Sequence, residues 1–467
     1  MRQPVYSLQS GMASDIPGRL PALFTDLYQL TMLQAYFHQR LHGRAVFSLF
    51  VRRLPAQRNY LLSCGLEAVL DYLEQLRFAN DELEYLRSLE LFSEPFLDWL
   101  RGFRFTGEVH AVPEGTVLFA NEPILEVIAP LPEAQLIETC VMNQVHLQTV
   151  IASKAARVVV AAQGRTVIDF GARRTLGMDA AVQGARACYI AGVEATSNVL
   201  AGRLYGIPVS GTMAHSYIQA TGDERAAFES FARTIPGTVL LVDTYDTLQG
   251  VKHVIELAQR TRDPIKVSAV RLDSGDLEHL AHETRRLLDA AGLRGIRIFG
   301  SSDLDEHEIE RLLNAGAPID GFGVGTGMGV SSDAPSLELV YKLTEYDAVG
   351  RTKLSTSKPV LPGRKQVYRR MRGGTMGGDV IARGDEECEG RPLLQRVMQR
   401  GRRLAALRDE QSLEAARARA HAEIAQLPRH VRQLAPAQPV YPVTVSTALQ
   451  RYHASVRARI SPRGGRQ

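Results

Sequence analysis

The sequence predicts an α/β protein built around a parallel β/α barrel, and two observations support that fold class. Between residues 137 and 335, short apolar runs alternate with stretches of helical length, as in the repeated strand–helix units of a parallel sheet. Nearly every run ends in a cluster of small, charged or hydroxyl residues. Such clusters meet at one face of a barrel, at the carboxyl ends of its strands, whereas the alternative, a doubly wound open sheet, would spread them apart.

The bulk composition is that of an ordinary globular protein. The 467 residues suffice for two or three domains, and 45% of them are apolar and 23% charged. No run approaches the ~18–20 apolar residues of a membrane helix, and the first ten residues lack the apolar core of a signal peptide. Four scattered cysteines without metal-ligand spacing indicate free thiols. We therefore expect a cytoplasmic protein with no membrane contact.

The N-terminal part, residues 1–136, is predicted to be an α+β domain. Its first 20 residues show little periodicity and are predicted to be a loose lead-in. Apolar spacing then predicts, in order, a helix over 27–37, a strand over 45–55, helices within 64–101 and short strands within 108–128.

The barrel domain is predicted over residues 137–335 and begins with a long helix over 137–162. Its predicted strands are the apolar runs 166–170, 192–197, 207–210, 238–242, 266–272, 296–299 and 319–324. Its predicted helices lie near 179–191, 215–232, 246–261, 276–291 and 305–315.

Residues 336–467 are predicted to return strands to the N-terminal domain and to end in an arginine-rich helical region. The predicted elements are a strand over 337–345, a turn at 347–350, a loop beyond residue 373, basic helices near 396–428 and an extended segment at 436–446. From Arg396 onward there are 14 Arg against 4 Asp and Glu residues. A basic tail can contact nucleic acid, but this one has few aromatic residues and its basic runs are interrupted by acidic ones. We interpret it as a solvated helical face and expect no nucleic-acid partner.

The glycine-rich run GVGTG at 323–327 follows an apolar strand and favours an anion site. Small residues let backbone N–H groups approach a phosphate closely, and the Thr326 hydroxyl adds a donor. No Gly-Lys-Ser/Thr follows, so the run is not a Walker loop. Alone it is a weak signal, because a tight glycine turn without a ligand has the same sequence.

Two further strand ends carry cations beside groups that suit a flat anionic ring. RLDSGD places Arg271 and Asp273 on one face of a strand. Either they form a structural ion pair, or Arg271 binds an anionic substrate while Asp273 faces a cationic centre or Mg²⁺. DFGARR places Phe170 before Arg173 and Arg174. The ring is either a core side chain, or stacks on a heterocycle whose carboxylate or phosphate the arginines bind.

His215 lies in SGTMAHS, after another predicted strand. Most histidines are structural, and the chain has 12 of them. A histidine at a strand end, beside a hydroxyl and small residues, can instead attack ATP and hold a phosphoryl group. No HExxH, GxSxG or CxxC array competes with this candidate nucleophile.

These clusters, in this order, resemble the nicotinate phosphoribosyltransferase family from about residue 24 to the tail. The matching stretches are FTDLYQLTM (24–32), DFGARR (169–174), GVEATSN (192–198), SGTMAHS (210–216), DTYDTL (243–248), RLDSGDL (271–277), GSSDLDE (300–306), GFGVGTGM (321–328), PVLPGRKQVYR (359–369) and VYPVTVS (440–446). Several of them are individually distinctive, and their joint order is hard to reach by chance.

The resemblance implies a fold and a reaction. The fold would be an irregular α/β barrel of the type II phosphoribosyltransferase kind, with an N-terminal α+β domain completed by later segments. The enzyme would be a homodimer with shared active sites. The reaction would convert nicotinate, phosphoribosyl pyrophosphate and ATP to nicotinate mononucleotide, pyrophosphate, ADP and phosphate, in NAD salvage. Mg²⁺ would be the cofactor that accompanies the pyrophosphate, and ATP a co-substrate.

The resemblance also implies residue roles by position. The expected catalytic residues are His215, which matches the histidine phosphorylated by ATP, and Asp273. The expected nicotinate-binding residues are Tyr28 and Phe170, which would sandwich the pyridine ring, with Thr212 and Arg271. The expected phosphoribosyl or pyrophosphate contacts are Arg173, Gly325 and Thr326. Tyr28 would come from the other subunit, and the metal ligands stay open between Asp273 and Asp276.

The choice between an acid and an amide substrate depends on one position. Nicotinamide phosphoribosyltransferases look similar at the ring-stacking and RxDSG positions, but a carboxylate follows their Gly-Thr pair and accepts a bond from the amide. Here that position is Met213, and Arg271 is close by in the expected site. We therefore expect an acid substrate. The alternatives are a nicotinamide phosphoribosyltransferase and a non-catalytic barrel that binds phosphoribosyl ligands.

Overall fold

The computed structural model describes residues 21–260, 266–354, 360–407 and 409–461. The predicted lead-in over the first 20 residues lies outside these ranges. Within them, no helix is both long and apolar enough to cross a lipid bilayer. The four cysteines are free thiols, as expected from their scattered positions, and three of them are buried.

The N-terminal part combines five helices with an antiparallel sheet. The helices are α1 (Leu27–Gln39), α2 (Leu66–Gln75), α3 (Asn80–Ser88), α4 (Glu94–Arg101) and α5 (Leu131–Leu136). The strands are β1 (Arg44–Val51), β2 (Leu61–Leu62), β3 (Glu108–Ala111), β4 (Val117–Leu118) and β5 (Pro123–Pro130). β1 pairs with β5, and β5 with β3. The predicted helix over 27–37 is confirmed, and the predicted strand over 45–55 is confirmed as far as Val51, where the buried apolar run of β1 ends.

The central part alternates strands and helices, as the apolar runs predicted. Its helices are α6 (Glu138–Ala161), α7 (Met178–Ile190), α8 (Val199–Tyr205), α9 (His215–Thr221), α10 (Glu224–Thr234), α11 (Thr247–Ala258), α12 (Leu277–Ala290), α13 (Glu306–Asn314) and α14 (Thr326–Gly329). Its strands are β6 (Thr166–Asp169), β7 (Ala195–Thr196), β8 (Thr238–Leu241), β9 (Val267–Leu272), β10 (Arg297–Gly300) and β11 (Gly321–Val324). The buried side of α6 runs from the core of the N-terminal part into the core under the parallel sheet, so this helix joins the two.

The parallel sheet has the strand order β7-β6-β11-β10-β9-β8. From β8 to β11 each strand lies beside the next in sequence, β6 pairs with β7, and β11 returns to β6, which is the order of a barrel and not of a doubly wound sheet. The ring is open, however. The predicted strand 207–210 forms a single bridge, from Val209 to Thr196, and no described residue pairs it with β8. Pro208 has no backbone N–H to donate in this short segment. The parallel sheet of the described residues is therefore a half-barrel: the predicted succession of parallel strands and helices is confirmed, and a complete barrel is not formed by these strands.

The C-terminal part supplies strands to two sheets. Its strands are β12 (Leu339–Tyr346), β13 (Val349–Gly350), β14 (Lys365–Arg372), β15 (Thr375–Arg383), β16 (Arg391–Pro392), β17 (Gln395–Gln399), β18 (Arg402–Arg403) and β19 (Val443–Val445). Its helices are α15 (Leu413–Gln426), α16 (Arg429–Arg432) and α17 (Thr447–Ile460). β12 pairs with β1 and β17 with β3, so both extend the N-terminal sheet. β16, β14, β15 and β19 form a separate sheet.

The predicted loop beyond residue 373 and the predicted helix from 396 were wrong. Gly373 and Gly374, both with positive φ, form the turn of the β14–β15 hairpin. A Gly-Gly pair between strands is a hairpin signal that the sequence carried. β17 is a strand because it pairs with β3, which lies far away in sequence, and β18 turns back to pair with β17. Among the described residues of the predicted basic stretch, helix is limited to α15 and a single 3-10 turn at Ala405–Leu407.

The arginines of the C-terminal part bind their own chain, so their interpretation as a solvated helical face was wrong for several of them. The Arg403 guanidinium contacts three carboxylates of α2, those of Glu67, Asp71 and Glu74. Arg417 on α15 donates to backbone carbonyls at the end of α7, those of Tyr189, Gly192 and Val193. These contacts attach the C-terminal part to α2 of the N-terminal part and to the end of α7 of the central part.

Candidate active site

The carboxyl ends of the parallel strands bring predicted site residues together. The side chain of His215, at the start of α9, is 40% exposed. Its Nδ1 lies 3.1 Å from the Thr244 hydroxyl, and its Nε2 lies 3.7 Å from Asp273 Oδ2. These two groups follow β8 and β9, so the ring is held between two strand ends and keeps an open face.

Asp273 connects the histidine to the neighbouring arginine. Its Oδ2 lies 3.5 Å from an Arg271 nitrogen, while its Oδ1 accepts a hydrogen bond from the Ser301 hydroxyl. Ser301 follows β10 and was not singled out in the sequence, although it belongs to the strand-end cluster GSSDLD. The carboxylate is therefore fixed between a cation and a hydroxyl.

Arg271 is the most enclosed cation of this cluster, with its side chain 13% exposed. It donates to the Thr212 hydroxyl, and its guanidinium lies 6.0 Å from the centre of the Phe170 ring. Burial lowers the pKa of Arg271, and the carboxylates of Asp273 and Asp243 oppose that effect. Its Nε has no hydrogen-bond partner among the described residues. The Arg271 guanidinium therefore keeps a hydrogen-bond donor that its own chain does not use.

Asp243 is a site residue that the sequence analysis missed. Its Oδ2 accepts hydrogen bonds from the backbone N–H of Asp273 and from the Ser274 hydroxyl. Its Oδ1 is buried and has no partner within the described ranges. The residue begins DTYDT, so its place after an apolar strand was the available signal.

Phe170 lies beside the glycine strand. Its backbone N–H donates to the Val324 carbonyl, 2.8 Å away, and joins β6 to β11. A Cβ at Gly323 would lie 2.4 Å from the ring, which is far closer than real side-chain contacts. Glycine at 323 therefore makes the room in which this ring sits beside Arg271.

The Asp169 carboxylate, buried just before Phe170, holds this turn. It accepts from the Gly171 N–H and from the Thr196 hydroxyl, each at 2.8 Å. Burial raises the pKa of Asp169. The sequence motif contained this residue, but nothing in the pattern distinguished its supporting position from a position in contact with ligand.

Thr326 is contacted by Arg174, which the sequence motif offered as an anion-binding arginine but to which the family resemblance assigned no role. Arg174 Nη1 lies 3.0 Å from the Thr326 hydroxyl and the same nitrogen lies 3.9 Å from an Asp303 carboxylate oxygen. Arg173 is exposed, and its charge lowers the pKa of Arg271. Gly325 precedes α14 at the same strand end. The two arginines and the glycine segment thus lie on the Phe170 side of the cluster.

Tyr28 is placed elsewhere in the chain. It lies on α1 with 48% exposure, near Gln29 and Glu138. None of its hydrogen bonds or electrostatic contacts that the structure describes reaches the strand-end cluster. The expected pair of rings, Tyr28 with Phe170, is therefore not formed within one chain.

The carboxylates of this site do not form a ready-made metal cage. Within the described ranges, no group of three or more His, Cys, Asp or Glu side chains is placed to hold a metal ion. Asp276 accepts from the backbone N–H of His279 at the start of α12, so its carboxylate caps that helix. Of the two aspartates left open, Asp273 is the one that lies among the other site residues.

The sequence and the fold both match known proteins. The N-terminal domain model of nicotinate phosphoribosyltransferase matches residues 23–146, and the model of the nicotinate phosphoribosyltransferase family matches residues 166–400. Nicotinate phosphoribosyltransferase pncB2 of Mycobacterium tuberculosis is 55% identical over 425 residues, which cover 91% of each chain. The Bacillus subtilis nicotinate phosphoribosyltransferase is 44% identical over 376 residues, covering 78% of this chain and 77% of that one.

A solved structure agrees with the sequence matches. The crystal structure of human nicotinic acid phosphoribosyltransferase superposes with a TM-score of 0.81 at 27% identity. The match covers 92% of this chain and 99% of the human one. The chain belongs to the nicotinate phosphoribosyltransferase family.

Proposed function

We propose that this protein transfers the phosphoribosyl group of phosphoribosyl pyrophosphate to the ring nitrogen of nicotinate, forming nicotinate mononucleotide and pyrophosphate for NAD biosynthesis. ATP is cleaved to ADP and phosphate alongside. The observation that carries the proposal is the strand-end cluster itself. Arg271, Phe170, Asp273 and His215 come from separate strand ends and lie around one place in the fold.

Nicotinate is an anion whose ring nitrogen is already a nucleophile, so the site must position it more than deprotonate it. The Arg271 guanidinium binds the carboxylate, because it is enclosed and its Nε is free of other partners. Thr212 orients that guanidinium through its hydroxyl. The face of Phe170 supports the ring. Met213, which follows Thr212, offers no acceptor for an amide, which favours the acid over nicotinamide.

Breaking the anomeric bond builds positive charge on the ribose and negative charge on the pyrophosphate, and an enzyme gains rate by stabilising both. Asp273 is placed to face the first charge. Arg173, Arg174 and Thr326, at the other side of the cluster, are placed to bind the second. This adds Arg174 to the contacts that the sequence implied.

The residues present also fit a Mg²⁺ ion bound together with pyrophosphate. Mg²⁺ is usually held by one or two carboxylates and by substrate phosphates, and it neutralises their charge. Asp243 has a buried carboxylate oxygen without a partner among the described residues, and it adjoins Asp273. We assign these two aspartates as the protein's share of that site.

His215 is proposed as the group that ATP phosphorylates. A ring nitrogen would form a bond to the γ-phosphorus, the bond from that phosphorus to the bridging oxygen would break, and ADP would leave. Thr244 and Asp273 hold the ring from opposite sides, and its exposed face is open to the nucleotide. Phosphorylation would favour a tighter-binding conformation, and loss of the phosphate would release the product.

The active form is proposed to be a homodimer in which Tyr28 of one subunit completes the site of the other. Large apolar side chains lie exposed just before and at the start of α7 and on α8: Leu176, Met178, Val199, Leu200 and Leu204. A monomer rarely leaves such a patch uncovered. Leu27 and Tyr28 offer a second exposed apolar surface. The free thiols suit the reducing cytoplasm in which we place the enzyme.

The test is a direct assay of the purified full-length chain. With labelled nicotinate, phosphoribosyl pyrophosphate, ATP and Mg²⁺, it should form nicotinate mononucleotide, separated and counted by chromatography. Parallel reactions replace nicotinate with nicotinamide or omit ATP. Faster reaction of nicotinamide would overturn the acid assignment. No reaction with either substrate would favour a non-catalytic barrel that only binds phosphoribosyl ligands.

A further inference from the structure

A cluster of five charged side chains, most of them buried, lies behind the part of the site that contains Arg174 and Thr326, which we call its phosphate side. We call it the rear charge cluster. It consists of Lys154 and Arg157 on α6, Arg58, Glu306 and Asp333. The side chain of Lys154 is 1% exposed and that of Glu306 is fully buried. Three buried cations therefore share two carboxylates, of which Glu306 is fully buried and Asp333 is partly exposed.

The two carboxylates belong to the two loops that form the phosphate side. Asp333 ends the segment that begins with the glycine run and α14. Glu306 begins α13 directly after the loop that contains Asp303. These loops touch, because a Cβ on Gly327 would lie 3.3 Å from the Leu304 carbonyl oxygen. The three cations thus hold these two loops on the side away from the site, while Arg174 contacts both loops on the side of the site.

The contacts of the rear charge cluster are specific in geometry. Arg58 binds both oxygens of Asp333, and its Nη2 lies 3.3 Å from the Ser331 hydroxyl. Ser331 has a φ of 46°, which is uncommon for a residue with a side chain and persists only where the surroundings impose it. Lys154 Nζ lies 2.9 Å from Asp333 and also contacts Glu306, while Arg157 Nε lies 2.8 Å from Glu306. The contacts of Arg58 and Lys154 therefore fix the conformation of the loop after α14.

Stability alone does not explain so many buried charges. Replacing a buried ion pair by apolar residues of similar volume is often neutral or stabilising, since desolvation offsets much of the attraction. Burial disfavours the ionised form of Glu306, yet Lys154 and Arg157 hold its pKa below the ordinary value. A charged, directional network defines loop positions in a way that an apolar contact does not.

We propose that Arg58, Lys154 and Arg157 are positioning residues for the binding of phosphoribosyl pyrophosphate, acting through Asp333 and Glu306 on the two phosphate-side loops. The inference rests on the proposed function, because that function assigns these loops to the pyrophosphate. The rear charge cluster lies under those loops and not under the side chains assigned to nicotinate, so its loss should affect one substrate and spare the other.

The test compares Lys154→Met and Asp333→Asn with a matched control, Arg186→Met. Arg186 forms an equally buried double contact with Glu114, and none of its contacts reaches the strand-end cluster. In the full-length enzyme, the two test variants should raise the KM for phosphoribosyl pyrophosphate roughly tenfold or more, the scale of a small misplacement of binding groups, with the KM for nicotinate nearly unchanged. The control should lower Tm without changing the ratio of the two KM values.

Binding of inorganic pyrophosphate, measured by titration calorimetry, separates this inference from the proposed activity. It needs no turnover, and both test variants should bind pyrophosphate more weakly than the unmodified chain and the control. If they lose Tm as the control does but keep their pyrophosphate affinity and KM ratio within about twofold, well below the effect expected of misplaced binding groups, the positioning role is wrong. If the unmodified chain binds pyrophosphate without turning over, the proposed function fails while the positioning role is still decided by these affinities.

Discussion

His215 shows how a common residue type acquires one orientation. Thr244 after β8 and Asp273 after β9 approach its two ring nitrogens, so the ring is held by two residues that are distant from it and from each other in sequence. The chain has 12 histidines, and no local pattern marks which of them is held in this way. The resemblance selected the residue, and the fold supplies the two contacts that orient its ring.

Replacing His215 should therefore remove the coupling to ATP. We expect His215→Ala to incorporate no acid-labile phosphate from γ-labelled ATP, and any ATP hydrolysis that remains should be independent of nicotinate mononucleotide formation. His253→Ala is the matched control, since His253 contacts Glu224 on α10, away from the cluster. Undiminished phosphorylation of His215→Ala would remove this residue from the mechanism.

Arg271→Lys tests the cation at the nicotinate carboxylate. A lysine keeps the charge but loses the planar fork and the contact with the Phe170 ring. We expect nicotinate to bind more weakly by about 1.5–3 kcal/mol, the scale of a lost hydrogen bond to a charged group. The KM for phosphoribosyl pyrophosphate should change little. Equal losses for both substrates would indicate that Arg271 supports the whole site and does not bind nicotinate.

At the scale of elements, β11 and the turn after β6 depend on each other. β11 pairs with two strands, β6 and β10, and its own Gly323 lies against the Phe170 ring. The apolar runs predicted both strands. Their adjacency required the strand order of the sheet, which only the packed structure contains.

Gly323→Ala should displace the Phe170 ring without unfolding the protein. The added methyl would overlap the ring, so either the ring or β11 must shift, at a cost of about 1–3 kcal/mol. We expect the KM for nicotinate to rise roughly tenfold. Gly295→Ala is the control, because a Cβ there meets nothing within 4 Å. A normal KM in Gly323→Ala would show that the ring position does not matter to nicotinate.

For the whole molecule, the position of Tyr28 is the observation with the largest consequence. Within one chain, none of its contacts among the described residues reaches Phe170. A site that needs both rings must therefore draw on two chains. The exposed apolar residues of α8 and of the segment before α7 provide a surface on which a second copy can pack.

Mixing two defective variants tests the shared site. Tyr28→Ala should weaken nicotinate binding by ~1–3 kcal/mol, as loss of an aromatic stacking surface does. His215→Ala should lack ATP coupling. In a mixed dimer, one site receives both intact residues, so the mixture should recover ATP-coupled activity at low nicotinate that neither variant shows alone. The control is Tyr28→Ala alone, taken through the same mixing and refolding steps. No recovery from dimers shown by mass measurement to be mixed would place Tyr28 outside the shared site.

The sequence by itself determined the succession of strands and helices between 137 and 335, the strand-end clusters and the family, because these are patterns among near neighbours in the chain. It did not determine that the half-barrel stays open beside 207–210, that β17 pairs with β3, or that Arg174 is the residue that reaches Thr326. It also gave no sign of the rear charge cluster, whose members span residues 58 to 333. These features depend on contacts between distant segments, and such contacts exist only once both cores have packed and brought those segments together.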